Sequence, residues 1–345
     1  MRRIYLIRHA HPDFPYGEHR CVGGRTDLPL GALGKMQAAL LPSLPELREL
    51  GAVFCSSLSR ARETALPLCP SPRVVEGLEE QDMGVWDGLS FTEIRARFPE
   101  LYAAREHDPS LLPEGAESLD AVRARMRRAL LRCLRESEGD AAVVSHRTAL
   151  SSLVGHRELL LHGSVTVLRW DGEGFETEAF GIRPCPPLGR ELAETLLCAA
   201  APGEKVEAHC RAVAAEALRI AEALPIPVDR ELLVSAALLH DVARREKDHA
   251  RLGAAWLREL GYADAAAIVE RHHDWCGGTI DEAAILFLAD KCIREDRRVT
   301  PEERFAASEG RCLTEEARLA HAARRETALR LRREINNLCG QTVVE

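Results

Sequence analysis

The stretch Ile4-Tyr5-Leu6-Ile7-Arg8-His9-Ala10-His11-Pro12 decides the fold of the first half of the chain. Its short apolar run, which meets polar residues at Arg8, predicts a β-strand of a largely parallel sheet. The predicted strand ends at Arg8, and His9 follows it directly. Ligands of open α/β sheets bind beyond the carboxyl ends of the strands, so this stretch predicts a functional edge.

Two more predicted strands end in polar side chains. Ala52–Cys55 runs into a serine-rich helix start that carries Arg60, and Ala141–Ser145 is followed by His146. With Val165–Trp170 as a fourth strand and helical stretches between strands, the pattern predicts an α/β fold. We expect a three-layer α/β/α sandwich around a mostly parallel sheet. The strand ends then bring two arginines and two histidines to one edge: Arg8, His9, Arg60 and His146.

The second half has a different sequence pattern, because almost all of it has helical periodicity. A proline-rich stretch over residues 183–189 separates the halves, since three prolines and a glycine block both a helix and a central strand. We therefore predict an N-terminal domain over 1–183, a linker with a first helix over 184–204, and an all-α domain over 205–345. Its predicted helices are Val206–Leu224, Arg230–His240, Ala250–Leu260, Asp264–His272, Glu282–Ile293 and Thr314–Asn336.

Composition narrows the class of protein. The 345 residues are 46% hydrophobic and 29% charged, which is typical of a soluble chain of about two domains. A net charge of −8 argues against a dedicated nucleic-acid binder. The sequence predicts neither a membrane span nor a secretory signal, and we expect a cytoplasmic protein. Eleven scattered cysteines without a CxxC pair argue against a disulfide framework and a cysteine-ligated zinc site.

Several motifs accompany the residues at the strand ends, in the order Cys21–Leu30, Ser56–Ala61, Leu78–Gly88, Glu117–Arg125 and Val143–His146. Together with Arg8-His9 they resemble the histidine phosphatase superfamily, specifically its α-ribazole phosphatase and phosphoglycerate mutase-like branch. The resemblance covers about residues 1–180. It implies that His9 attacks phosphorus and holds the phosphoryl group covalently. It also implies phosphate binding by Arg8, Arg60 and His146 and proton donation by Glu80, without a metal or other cofactor.

The residue types suit this chemistry. A neutral imidazole can act as a nucleophile, fixed cations hold the phosphoryl oxygens, and an alkoxide leaving group needs a proton. The family register places the acid two residues after Leu78 and four before Gly84, which selects Glu80, and Glu79 is expected to be solvated.

The motifs depart from the family at two positions. Ala10 stands where the family has glycine and is expected to crowd the phosphate site slightly. Arg147 replaces a small residue, and a cation there can change what fits the pocket or bind a second anion of the substrate. His11 is not a catalytic position of the family. The remaining histidines of this half are expected to be surface or core residues: His107, His156 and His162.

Histidines and aspartates of the second half lie on or beside different predicted helices. They are His209, His240, Asp241, His249, His272, His273 and Asp290. Imidazoles and carboxylates are common ligands of Fe, Mn, Zn and Co. An isolated His240-Asp241 pair would be interpreted as a hydrogen-bonded helix end, but the whole set resembles the HD superfamily of metal-dependent phosphohydrolases over about residues 205–295.

The HD resemblance implies a divalent metal, either Fe, Mn, Zn, Co or Mg. One ion would be held by His209, His240, Asp241 and Asp290, and the positions of a second ion in binuclear members match His249, His272 and His273. The resemblance leaves open whether one or two ions bind. No Gly-Tyr-Pro follows His273, so cyclic dinucleotide hydrolysis is not implied. The charged run 294–298 is expected to be a solvated loop, and Thr314–Asn336 a helix that packs on the bundle or on a partner subunit.

The sequence thus predicts a bifunctional phosphohydrolase for small phosphoesters. Its first domain would be a phosphomonoesterase for an α-ribazole phosphate-like compound, a sugar phosphate or a nucleotide phosphate, and its second a metal-dependent phosphohydrolase. The two could act in sequence, since both sites suit phosphate chemistry. One alternative is a single phosphatase with the HD domain as a metal-binding sensor or dimerisation module. Another is phosphoryl transfer of the mutase type. A homo-oligomer is possible, and neither a nucleic acid polymer nor a membrane is expected as a partner.

Overall fold

The computed structural model describes residues 2–108, 110–154, 160–275, 277–310 and 312–345. His156 lies outside the described residues. The chain divides into two compact units, Met1–Pro186 and Pro187–Glu345, and each is described by itself.

Among the described residues, unit 1 is built on one six-stranded sheet. Its strands are β1 (Arg2–Arg8), β2 (Ala52–Cys55), β3 (Arg73–Val74), β4 (Ala141–Ser145), β5 (Val165–Trp170) and β6 (Phe175–Ile182), in the spatial order β3-β2-β4-β1-β5-β6. Strands β1, β2, β3 and β4 pair in parallel, whereas β5 and β6 are antiparallel to their neighbours. The prediction of a mostly parallel sheet is confirmed.

Helices cover both faces of this sheet. They are α1 (Ala32–Leu40), α2 (Ser59–Ala65), α3 (Phe91–Arg97), α4 (Pro99–His107), α5 (Leu119–Glu136) and α6 (Arg147–Val154). Successive residues of β1 point to opposite faces, so Ile4 and Leu6 join one core with α5, while Tyr5 and Ile7 join another with α2. This is the predicted α/β/α sandwich.

The strand register brings several strand ends to one place. Arg8 pairs with Ser145 and Cys55 with Val144, so β1, β4 and β2 end together. The antiparallel strand β5 begins at the same edge, where Val165 pairs with Ile7. Helix α1 lies close to the segment after β1, because a Cβ atom on Gly34 would come within 2.0 Å of the His11 carbonyl oxygen. Only glycine fits there.

Unit 2 is a helical bundle. Its helices are α7 (Arg190–Ala200), α8 (Glu204–Ala223), α9 (Arg230–Leu239), α10 (His249–Glu259), α11 (Ala263–Glu270), α12 (Glu282–Lys291), α13 (Pro301–Glu309) and α14 (Glu315–Cys339). The predicted helices are confirmed, with ends that differ by up to three residues. The all-α expectation needs one correction, since Ile293–Arg294 and Arg297–Arg298 pair as a short hairpin, β7 and β8.

The apolar sequences of α9 and α12 explain their central position. Every residue from Leu233 to Leu239 and from Ala283 to Lys291 is buried. Helices α8, α9 and α12 pack on one another, and buried polar residues lie on them or directly after α9 and α11. Within the described residues, each helix falls short of the length and apolar character that a membrane span requires.

Candidate active site and candidate metal centre

His9 lies directly after β1 and is buried. Its Nδ1 is 2.7 Å from the Ala10 carbonyl oxygen. A carbonyl can only accept a hydrogen bond, so Nδ1 carries the proton and Nε2 keeps a lone pair. Burial and the nearby His146, Arg60 and Arg8 hold the pKa of His9 well below its usual value. The ring is therefore a neutral imidazole, and its Nε2 keeps a lone pair.

Two guanidinium groups accompany this imidazole, that of Arg60 buried and that of Arg8 half-buried. Arg60 is completely buried and donates from Nη1 to the Thr26 carbonyl at 2.8 Å and from Nη2 to the Gly23 carbonyl at 3.1 Å. Arg8 donates to the Leu160 carbonyl and to His162. The Nε atoms of both arginines are buried and have no partner among the described residues. An unpaired buried donor costs about 1–3 kcal/mol, so the pair is suited to an anion.

His146 follows β4, and its ring centroid is 5.0 Å from that of His9. Its Nε2 lies 2.9 Å from Ser56 Oγ, and its buried Nδ1 has no partner in the part of the chain that is described. Burial, Arg60 and Arg8 hold the pKa of His146 well below its usual value. The third predicted phosphate ligand is thus neutral and lies next to His9.

Glu80 is buried beside the first turn of α6. Its Oε1 accepts hydrogen bonds from the backbone N–H groups of Gln81 and Ala149, at 2.9 and 3.0 Å. Its Oε2 accepts one from Thr148 N at 3.1 Å. Arg125 fixes the loop, because it donates to the carbonyls of residues 77, 79 and 80 and to Glu117. Glu80 therefore has a fixed position next to His146.

The expectation that Glu79 is solvated is wrong. Its side chain is half-buried, with Oε1 accepting from Ser57 Oγ at 3.0 Å and Oε2 accepting from Gly77 N at 2.7 Å. The carboxylate braces the loop that carries Glu80, which explains two acidic residues in a row.

The structure shows the surroundings of Ala10 and Arg147, the two positions that depart from the family pattern. The methyl group of Ala10 packs in a small buried cluster with Leu30 and Ala38, so the core takes up the group that was expected to crowd the phosphate site. Arg147 is exposed. Burial and the Arg147 charge together lower the pKa of Arg8 to about 9, which places the two cations near each other.

His162 was expected to be a surface or core residue, and the structure places it in the site instead. Its Nε2 is 2.7 Å from Arg8 Nη2, and its ring centroid is 5.4 Å from that of His9. His11 lies beyond it, with 5.2 Å between the ring centroids. One sequence feature could have identified His162 as a site residue: it lies just before β5, an antiparallel strand that begins where β1 ends. His107 is exposed at the end of α4, as expected.

All seven histidines and aspartates predicted in unit 2 come together in the bundle. They form three overlapping groups whose potential ligand atoms lie within 4.8 Å of one another: His209, His240 and Asp290; His240, Asp241 and His272; and His249, His272 and His273. No predicted ligand lies elsewhere.

Backbone carbonyls orient three of these imidazoles. Nδ1 of His209, His240 and His272 lies 2.7 Å from the carbonyl oxygens of Glu295, Ala237 and Val269, respectively. In His240 and His272, Nδ1 therefore carries the proton and Nε2 keeps a lone pair, which is the arrangement of metal-binding histidines. The Nε2 atoms of His240 and His272 are buried and make no hydrogen bond with the described residues. These orphaned acceptors fit a cation.

Two carboxylates, those of Asp290 and Asp241, lie among these histidines in the bundle interior. Asp290 Oδ1 is 3.1 Å from His209 Nε2, and Lys291 donates to Asp290 Oδ2 at 2.5 Å. Burial alone would raise the pKa of Asp290, but Lys291 and His209 hold it well below its usual value. Burial likewise opposes ionisation of Asp241, and His240 and His249 keep its pKa low. Both carboxylates are therefore anionic, the charge state in which a carboxylate binds a metal.

The second group lies at the more open side. His249 Nε2 is 3.0 Å from Asp241 Oδ1 and 2.9 Å from His273 Nε2. Arg244 Nη1 lies 2.8 Å from His249 Nε2. Asp241 thus stands between the two groups, as a ligand shared by two ions would. The charged run 294–298 is exposed, as expected, but forms the turn of the β7–β8 hairpin, and its Glu295 carbonyl holds His209.

Comparisons with known proteins agree with this geometry. The model of the histidine phosphatase superfamily, branch 1, matches residues 4–183, and the HD domain model matches residues 206–295. The bifunctional protein Rv2228c of Mycobacterium tuberculosis is 35% identical over 158 residues, which are 44% of this chain and 43% of that protein.

Two further likenesses involve named phosphatases. Glucosyl-3-phosphoglycerate phosphatase of Mycobacterium tuberculosis is 32% identical over 130 residues, 36% of this chain and 57% of that protein. This chain therefore spans about half the length of these curated relatives. The crystal structure of the alpha-ribazole phosphatase from Shigella flexneri is 23% identical with a TM-score of 0.46, covering 52% of this chain and 96% of that chain.

Proposed function

The chain belongs to the histidine phosphatase superfamily, with an HD domain fused after it, and from this premise we propose that it is a bifunctional phosphohydrolase. Residues 1–183 would form a phosphomonoesterase that works through a phosphohistidine on His9. After the linker 184–204, residues 205–345 would form a metal-dependent phosphohydrolase. The substrates would be small phosphorylated molecules.

One observation carries the first activity. The lone pair of His9 Nε2 lies in a buried site where the Nε–H groups of Arg8 and Arg60 have no partner among the described residues. A nucleophile beside unpaired fixed cations suits attack on a phosphoryl group and stabilises the charge of its oxygens.

In the first half-reaction, His9 Nε2 forms a bond to phosphorus while the bond from phosphorus to the ester oxygen breaks. Arg8, Arg60 and His146 hold the non-bridging oxygens. Glu80 transfers a proton to the leaving oxygen, so the product departs as an alcohol. We assign this transfer to Oε2, which accepts one hydrogen bond where Oε1 accepts two.

In the second half-reaction, water attacks phosphorus and the bond to His9 Nε2 breaks. Glu80, now ionised, accepts a proton from the water, and inorganic phosphate leaves. The Ala10 carbonyl holds the Nδ1 proton of His9 throughout. That hydrogen bond keeps Nε2 as the reacting nitrogen in both steps.

Unit 2 fits a divalent metal. His209, His240, Asp241 and Asp290 would hold one ion, and His249, His272 and His273 a second beside Asp241. Nitrogen and oxygen ligands suit Fe, Mn, Zn, Co or Mg. When bound, such an ion supplies a water of lowered pKa and Lewis acidity toward phosphoryl oxygens. The chain's own contribution is orientation: three carbonyls fix the imidazoles, and Lys291 fixes Asp290.

The substrate of unit 1 is proposed only as a class. A sugar phosphate, a nucleotide phosphate or an α-ribazole phosphate-like compound would suit the site, and the named relatives support a phosphorylated sugar acid as one candidate. Unit 2 could release such a monoester from a phosphodiester, which unit 1 would then dephosphorylate. A coupled turnover assay that finds no shared product would contradict this sequence of reactions.

The decisive experiment measures phosphate release from a panel of phosphomonoesters. It compares the wild type with His9→Ala and Asp241→Ala, and with His107→Ala and Asp264→Ala as exposed controls. We expect His9→Ala to lower kcat/KM by at least about a thousandfold while the controls stay near wild type. Persistence of phosphate release in His9→Ala together with its loss in Asp241→Ala would reverse the assignment.

The same variants test the alternatives for unit 2. A chelator or Asp241→Ala should abolish a separate phosphodiesterase activity if the HD domain is catalytic. If instead only the thermal stability or the oligomeric state changes, unit 2 is a metal-binding sensor or dimerisation module. Phosphoryl transfer to an added alcohol acceptor at the expense of hydrolysis would support the mutase alternative.

A further inference from the structure

We propose that His162 is a positioning residue of the phosphatase site, which holds the Arg8 guanidinium in place through an unprotonated imidazole nitrogen. The proposal rests on the proposed phosphatase function, but it concerns a contact that exists before any substrate binds. Arg60 is buried and Arg8 is half-buried, and among the described contacts of these two cations Arg8 alone is held by a side chain.

The direction of the contact follows from chemistry. Arg8 Nη2 and His162 Nε2 are 2.7 Å apart. A guanidinium can only donate, so His162 Nε2 must accept with its lone pair. The Leu160 carbonyl accepts from Nη1, and Leu160 and His162 thus hold the two terminal nitrogens of Arg8. The buried Nε remains without a partner among the described residues and is available to a phosphoryl oxygen.

The backbone fixes His162 at this place. Arg8 N donates to the Ser164 carbonyl at 3.0 Å, and Gly163 N donates to the Arg8 carbonyl at 3.1 Å. Gly163 has a φ of +70°, a conformation that favours glycine. The tight turn between His162 and β5 therefore sets the imidazole opposite the end of β1.

The same geometry excludes other roles for His162. Its ring lies 5.4 Å from that of His9, which would suit a second nucleophile or a proton donor. Its Nε2 is already engaged by Arg8, however, and protonation of that nitrogen would remove the acceptor and set two cations side by side. A neutral acceptor is the state that Arg8 requires.

The test uses inorganic phosphate as the probe, together with steady-state kinetics on an aryl phosphate. His162→Leu removes the acceptor, and His162→Gln places an amide oxygen near the position of Nε2. The control is His107→Leu, an exposed histidine in the same unit. We expect His162→Leu to weaken phosphate binding about 10- to 100-fold and to raise KM more than it lowers kcat. His162→Gln should recover most of the loss.

Equal phosphate affinity in His162→Leu and the wild type would overturn the proposal, as would a folded His162→Gln no better than the leucine variant. If the leucine variant does not fold, ¹⁵N-histidine NMR of the wild type decides: the proposal requires His162 to carry its proton on Nδ1, and a proton on Nε2 contradicts it. A wild type that binds phosphate but hydrolyses no ester would refute the proposed function and leave the binding test of His162 valid.

Discussion

The candidate sites of the two units bury opposite kinds of unsatisfied atoms. In unit 1, the described buried atoms without partners around His9 include the Nε–H groups of Arg8 and Arg60, which are donors. In unit 2, the corresponding atoms include Nε2 of His240 and of His272, which are lone-pair acceptors. Buried polar groups are normally paired, so each set indicates what is missing. The site around His9 is complementary to an anion, and the cluster around His240 and His272 is complementary to a cation.

The pKa values of the histidines also differ between the two units. Burial and neighbouring cations lower the pKa of His9, so that ring stays neutral. Burial would also lower the pKa of His209, but the carboxylate of Asp290 raises it above its usual value. Histidine thus has two environments in one chain: arginines surround His9 in unit 1, and carboxylates surround His209 in unit 2.

The largest predicted effect is a loss of phosphate release, which tests whether the site in unit 1 binds an anion. Arg60→Met removes a buried cation, and we expect it to lower kcat/KM for phosphate release by about 100- to 1000-fold. Metal binding by unit 2 should not change. The control is Arg62→Met, an exposed arginine on the same helix. Near-normal kinetics in a folded Arg60→Met would refute the anion assignment.

A matched change in unit 2 comes next. His240→Ala removes an orphaned acceptor and should weaken binding of Zn²⁺ or Mn²⁺ by at least about 100-fold in calorimetry. Phosphate release by unit 1 should stay at the wild-type level. His321→Ala, outside the three ligand groups, serves as the control. Undiminished metal content in His240→Ala would show that the cation assignment is wrong.

A smaller effect concerns Arg147, whose exposed charge lies near Arg8. We expect Arg147→Ala to lower kcat/KM about three- to tenfold for substrates with a second anionic group, because an exposed ion pair is modest in strength. Simple aryl phosphates should be affected less. Arg128→Ala, an exposed arginine on α5, is the control. Equal losses on both classes of substrate would remove Arg147 as a specificity residue.

The smallest expected change is a shift in pH dependence. The active form of His9 is neutral and its pKa lies well below 6.5, so activity on an aryl phosphate should not be lost through His9 until the pH is well below 6.5. Arg8→Met removes a neighbouring cation, which favours the imidazolium and should raise the His9 pKa by about one unit. Titration of ¹⁵N-labelled histidine measures both values. A His9 pKa of 6.5 or higher in the wild type would contradict the neutral nucleophile.

The sequence was most informative where strands end. The runs at Ala52–Cys55, Ala141–Ser145 and Val165–Trp170 are strands with these same bounds, since compact apolar runs leave little choice. The parallel strands then bring Arg8, His9, Arg60 and His146 together, as expected. Their catalytic roles stay predictions.

The features that the sequence did not predict depend on contacts between residues that are far apart in the sequence. Strand β6 was missed because Phe175–Ile182 is a half-exposed edge strand with a polar, mixed sequence. His162 was missed because the rule for carboxyl ends covers parallel strands, whereas here the amino end of an antiparallel strand meets the same edge. The hydrogen bonds of Glu79 depend on the loop conformation that Arg125 fixes, which no local pattern indicates.

The carbonyls that orient His240 and His272 belong to the last turns of α9 and α11, and each lies three residues before its histidine. Each histidine thus contacts the last turn of its own helix with one nitrogen and offers the other to the bundle interior. Fraying of either end therefore withdraws a ligand. Conversely, loading with metal should slow amide hydrogen exchange in the last turns of these two helices, so that local helix opening and metal release become a single event.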